Sequence, residues 1–196
     1  RGLVLGWGLG FAAFVMWGSL LGVARSAIEQ VGVLWSAAAV SLMGGGLGWA
    51  VSVVRAGRRP GRAGWPVRYL VGCGLLFVMY NAALYVAIRL AADRTQTVEI
   101  GLVNYLWPVL TVALGVPILR HKAGLGLPTG LVLAMAGIYL GMTTGREITL
   151  ATIGLNLLAD PVPYALGLLA AVSWALYSNL ARRWAGNARD GAVPIF

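Results

Sequence analysis

Charge is what this sequence has least of. Of its 196 residues, 11% are Asp, Glu, Lys or Arg and 59% are hydrophobic, whereas a soluble domain carries about 25% charged residues. A chain so short of charge belongs among integral membrane proteins, and the solvent for most of it is lipid. Acid is scarcer than base: six Asp and Glu against fifteen Lys and Arg, a formal charge of +9. In a soluble protein that excess would point to nucleic acid. Here it reads as loop charge that sets topology, and no nucleic-acid partner is expected. Cysteine occurs once, at Cys73 inside an apolar run, so neither a disulfide framework nor a cysteine metal cluster can form. Histidine also occurs once, at His121 between Arg120 and Lys122 in a basic loop. That excludes a zinc site and the serine–histidine logic of an intramembrane protease, which needs a histidine within a span. A glycine-rich phosphate loop with its lysine is also missing. The chain reads as no enzyme and needs no cofactor or metal. No cleavable signal is evident, because the first apolar stretch runs long and leads straight into others.

What the sequence does have is long apolar runs. Six are long enough to cross a bilayer, at about 20 residues each: Leu3 to Ala24, Val31 to Val54, Tyr69 to Leu90, Val98 to Leu119, Leu125 to Thr144 and Tyr164 to Ala181. The connections look short and polar, so successive helices should run antiparallel. The fold class expected is an all-α integral membrane protein without a separate soluble domain. If the loop between spans two and three faces the cytoplasm, alternation places 11 of the 15 basic residues on that side. The positive-inside rule then puts the N-terminus in the cytoplasm. Arg25, Arg89, Arg94 and Arg146 are left on the far side.

The fourth run, VEIGLVNYLWPVLTVALGVPIL, carries no charge after Glu99 but holds Asn104, Tyr105, Trp107, Pro108 and Thr111. A plain anchor has no use for these. Pro108 has no N–H for the carbonyl of Asn104, so a kinked helix is expected, with that carbonyl served by neighbours or water. In a continuous helix Asn104, Trp107 and Thr111 share one face, which could line a polar path or simply tie the helix to its neighbours. Trp17, beside Gly18 and Ser19, could form a cavity wall or fill space. Tyr80 and Asn81 in the third run could meet Asn104, the freed carbonyl or a solute. Trp174, Tyr177 and Ser178 make the sixth run equally aromatic and polar. Gly44 to Gly46 and Gly48, and the spaced Gly137, Gly141 and Gly145, read as packing faces. No ionisable residue stands near the middle of any run, and ion relays usually rest on such groups. A neutral, ring-lined and amide-lined route suits a carrier of zwitterions.

The patterns FVMWGSLLGVAR, NYLWPVLTVALGVPIL, LVLAMAGIYLG and LAAVSWALYSNLARRWAG resemble the drug/metabolite transporter superfamily, EamA type. NYLWP, at Asn104 to Pro108, is the most specific of them and is similar to the YddG-type aromatic amino acid exporters of bacterial inner membranes. The resemblance implies ten helices in two inverted five-helix repeats. Residues 1–150 would be the first repeat, and 151–196 would open the second, with the Trp174 region matching the Trp17 region. A seventh helix would then begin near GAVPIF. It implies a monomeric bacterial inner-membrane exporter of aromatic and other neutral amino acids, working by alternating access. Trp17, Tyr80, Trp107, Trp174 and Tyr177 would supply ring faces; Asn81, Asn104, Thr111 and Ser178 would meet the amino and carboxylate groups. The alternatives are an exporter of another small metabolite or a lipophilic cation, and a structural membrane subunit that transports nothing.

Overall fold

The computed structural model describes residues 2–56, 66–120, 124 and 126–184. Several side chains in the first half of the opening helix, Trp17 among them, and those at 48 and 51–56 lie outside that set. So do the basic loop at 57–65, His121, Lys122 and the segment 185–196. The described residues form eight α-helices and no strand. Helix α1 spans Gly2–Val31 and α2 Val33–Ala56. A π-helical turn at Tyr69–Cys73 leads into α3, Gly74–Leu90. Then come α4 at Arg94–Asn104, α5 at Trp107–Leu119 and α6 at Gly126–Thr143. The last two are α7 at Leu150–Ala159 and α8 at Pro161–Trp184. Among the described residues, four stretches are long and apolar enough to cross a membrane: Tyr69–Leu90, Arg94–Leu119, Gly126–Thr143 and Pro161–Trp184.

The breaks between helices follow local chemistry. Gly32, at φ 83°, separates α1 from α2, a backbone region glycine enters without strain. Asp93 caps α4 by accepting a hydrogen bond from the Gln96 N–H at 2.7 Å. Thr149 and Thr152 cap α7 reciprocally, at 3.1 and 2.9 Å. That short apolar helix occupies a connection expected to be a short polar loop. Asp160 is extended, and α8 then starts on Pro161, where a missing N–H does no harm.

Helix α8 is the axis of the bundle, packed on α3, α4 and α5. Gly167 lets α4 come close: a Cβ there would lie 3.1 Å from Ile100 Cγ2 and 3.3 Å from the Ile100 carbonyl oxygen. One core cluster joins Ala24 and Ile28 of α1 to Tyr80, Leu84 and Ile88 of α3 and Ala170 of α8. A second sets Ala87 and Ala91 against Ile100 and Tyr164. The glycines of the second and fifth runs behave differently. At Gly44, Gly45, Gly46, Gly137, Gly141 and Gly145 no described atom lies within 4 Å of where a Cβ would stand. Their expected packing is therefore not made among the described residues.

Candidate functional site

The fourth run is interrupted just before Pro108, within one membrane-length stretch. Helix α4 stops at Asn104, Tyr105 and Leu106 form a turn, and α5 restarts at Trp107 with Pro108 in its first turn. Tyr105 N–H reaches the Gly101 carbonyl at 2.8 Å and Leu106 N–H the Val103 carbonyl at 3.1 Å. Pro108 has no N–H to continue the ladder, and it serves as a helix starter. The shared face expected for Asn104, Trp107 and Thr111 is thus divided between two helices.

The break brings Trp107 to an aromatic cluster. Trp174 of α8 is its hub, with ring centroids 4.7 Å from Tyr80, 6.1 Å from Trp107 and 5.3 Å from Tyr177. Phe77 joins at 6.1 Å from Trp174 and 5.7 Å from Tyr177. The Trp107–Trp174 pair is edge-on at 77°, a geometry that sets the positive ring edge against a negative face.

Asn104 is 4% exposed. Its amide oxygen has no hydrogen-bond partner among the described residues. Buried polar atoms are normally satisfied, so an orphan oxygen marks a place for a donor from elsewhere. The other polar candidates are spent on their own helices. Asn81 donates to the Phe77 carbonyl at 2.8 Å, Thr111 to Trp107 at 2.7 Å and Ser178 to Trp174 at 2.8 Å. Asn81 therefore does not bridge to Asn104. Tyr80, Asn104, Trp107, Trp174 and Tyr177 come together. The Trp17 side chain lies outside the described residues.

Beside the cluster lies a cavity of about 1480 Å³ between α1, the α4–α5 break and α6. Tyr105, Trp107 and Pro108 form one wall, and Gly137 and Gly141 of α6 another. The glycines of the fifth run thus border open space. Trp107 belongs both to this wall and to the ring cluster. Arg25, Arg94 and Arg146 also line the cavity, and among the described residues no acid does. Among the described residues no group of His, Cys, Asp or Glu could hold a metal.

Three features were missed from sequence. Arg25 is part of α1, not a loop residue. It donates to the Ile88 and Ala91 carbonyls at 2.8 and 2.9 Å, closing the C-terminal end of α3. It also pairs with Glu29 at 2.7 Å, and Arg94 joins Glu29 at 3.1 Å. These two guanidinium groups hold the Glu29 carboxyl below its usual range. Asn179, 2% exposed, ties α8 to α5 by donating to the Thr111 carbonyl at 2.9 Å. Glu99 is 1% exposed inside α4. A lone acid at the head of an apolar run was the available signal for Glu99.

An all-helical membrane protein with a broken span, a ring cluster at its central helix and a solute-sized cavity alongside has the build of a carrier. The chain belongs to the EamA-like transporter family, whose model matches residues 4–143. It is 32% identical over 178 residues to the aromatic amino acid exporter YddG of Salmonella typhimurium, covering 90% of this chain and 59% of that protein. Against the protein of the same name in Escherichia coli the identity is 31% with the same coverage. With that of Ancylobacter novellus it is 31% over 181 residues, covering 90% and 58%. The chain therefore spans somewhat under two thirds of the length of these relatives. No solved structure matches it.

Proposed function

We propose that this chain is the part of a multi-pass bacterial inner-membrane exporter that carries its aromatic substrate contacts. Its cargo is aromatic and other neutral amino acids, moved from cytoplasm to periplasm by alternating access. The observation that carries this reading is the cluster around Trp174 with the unpartnered Asn104 oxygen beside it. Rings on Tyr80, Trp107, Trp174 and Tyr177 receive an aromatic side chain, each good contact contributing about 0.5–1.5 kcal/mol beyond burial. The Asn104 oxygen accepts from the ammonium group.

Six spans, the N-terminus in the cytoplasm, residues 1–150 as a first repeat, 151–196 opening a second, inverted one, and a monomeric carrier complete the proposal. Its support is the arginine distribution along the sequence and the names of the relatives. The test is uptake of labelled phenylalanine, tryptophan and threonine into liposomes holding the intact protein. Unlabelled amino acids should compete and a quaternary ammonium ion should not. Competition by the cation alone contradicts the amino-acid reading.

A further inference from the structure

Asn179 takes no direct part in the proposed route, yet it holds the helix that carries Trp107. It is 2% exposed. Its amide donates at 2.9 Å to the Thr111 carbonyl of α5 and at 2.9 Å to the Ala175 carbonyl of its own helix. Gly115 of α5, itself buried, makes room for it. A Cβ at Gly115 would lie 3.1 Å from Asn179 Oδ1. Among the described residues Asn179 is the only neighbour on another helix that such a Cβ would meet within 4 Å. The amide is therefore seated between a carbonyl it binds and a glycine that leaves it space.

The place of this seat along the two helices gives it a consequence. Thr111 follows Trp107 by about one helical turn, and Asn179 follows Trp174 by little more than one. The amide thus fastens α5 to α8 just beyond the edge-on Trp107–Trp174 pair, whose ring centroids are 6.1 Å apart. Pro108 donates nothing back to α4, so a continuous ladder does not hold α5 in line. Helix α4 has ties of its own to α8: Glu99 accepts from the Tyr164 hydroxyl, and Gly167 admits Ile100. The two halves of the interrupted span are fixed separately on the same central helix. A second tie of α5 runs from Arg183 to the Ile118 carbonyl at 3.2 Å, exposed and at the far end of the helix.

A bond to a backbone carbonyl is suited to setting a spacing, because the carbonyl moves only with its helix. Within α5 the Thr111 hydroxyl donates to the Trp107 carbonyl at 2.7 Å, so a shift at Thr111 is passed on to Trp107.

We propose that Asn179, seated against Gly115, is a positioning residue that sets the spacing of Trp107 and Trp174. Through that spacing it sets the preference of the site for aromatic side chains. The geometric part does not depend on what is carried; the bearing on cargo rests on the exporter reading.

Two readouts on the intact protein test the two parts separately. The first is near-ultraviolet circular dichroism in detergent, without amino acid. The difference between wild type and Trp107→Phe gives the signal of the fixed indole pair. That signal should be lost in Asn179→Ala and in Gly115→Ala, and kept in Arg183→Ala. In an Asn179→Ala background Gly115→Ala should change nothing further, because the atom it would press on is gone. A pair signal kept in both single variants, or no difference between wild type and Trp107→Phe, overturns the proposal. The second readout is uptake of labelled phenylalanine and threonine into liposomes. For phenylalanine, Asn179→Ala should raise KM about threefold to tenfold, the worth of one good ring contact, with the maximal rate kept. Threonine brings no ring and should keep its KM. A fall in maximal rate with KM unchanged, or an equal rise in KM for threonine, marks a merely structural tie and overturns the proposal. The expected loss of pair signal with no uptake even by wild type leaves the positioning standing and removes the exporter reading instead.

Discussion

Helices α8 and α6 are close to equal in apolar character, yet 39% of the membrane-length window of α8 is buried and 6% of that of α6. Hydropathy decides that a segment enters the membrane; it does not decide whether its neighbours are protein or lipid. The difference lies in what the apolar residues are mixed with. Alternate positions of α8 from Ser173 to Asn179 are buried, and the buried Tyr177 and Asn179, with the half-buried Trp174, each reach another helix. Helix α6 offers Thr143, whose hydroxyl returns to its own Tyr139 carbonyl at 2.8 Å, and glycines that face open space. Without a hydrophobic force between helices in lipid, rings, amides and close backbone contacts determine which helix is central.

Substitutions on the two helices should separate accordingly. The largest effect is expected at the hub. Trp174→Ala removes ring contacts to Phe77, Tyr80, Trp107 and Tyr177, and should lower stability by about 3–5 kcal/mol. Leu133→Ala on α6, where the side chain is 67% exposed, should stay within about 0.5 kcal/mol. Thermal melts of both variants in detergent make the comparison; equal losses would dissolve the distinction between centre and edge.

Glycine gives the next contrast. Gly167→Ala sets a methyl 3.3 Å from the Ile100 carbonyl oxygen and should destabilise by about 1–3 kcal/mol through overpacking. Gly137→Ala meets no described atom within 4 Å and should be neutral, or stabilising by up to about 1 kcal/mol through helix propensity. Smaller again is Asn179→Ala. It deletes the bond to the Thr111 carbonyl and should lower the melt by about 1 kcal/mol.

The least effect is expected at the rim. The Glu29 carboxyl is held below its ordinary range by Arg25 and Arg94, so the unfolded chain binds its proton at higher pH than the folded one. The contribution is present above the ordinary carboxylate value, about 4.3, and fades as pH falls below it. Melts of Glu29→Gln and wild type should differ slightly at neutral pH and converge in acid. A gap that widens in acid contradicts the assignment.

Much of the arrangement was legible beforehand. The third run, Tyr69–Leu90, ends where the observed span does, because apolar length is a property of the residues alone. The aromatic and amide residues of spans three, four and six were recognisable by their depth in apolar runs. Their partners were not. The interruption at Tyr105 and Leu106 falls where Pro108 removes a ladder hydrogen bond, as the sequence suggested. Asn81, Thr111 and Ser178 looked available for a solute, but each has a carbonyl four residues earlier within reach, and a local bond is easily made. Arg25 looked like a loop charge because nothing in its neighbourhood announces the open end of α3. Helix α7, ten residues of LATIGLNLLA, is too short to register as a span, and only its Thr149–Thr152 cap announced it.

The central claim is that Trp107 and Asn104 meet the amino acid. The most direct test is uptake of labelled phenylalanine into liposomes by intact wild type, Trp107→Ala and Asn104→Ala, with insertion of each verified. The account predicts inserted protein with uptake lowered about tenfold or more in both variants, the loss of one ring contact or one charge-assisted hydrogen bond. Wild-type uptake by both would contradict it.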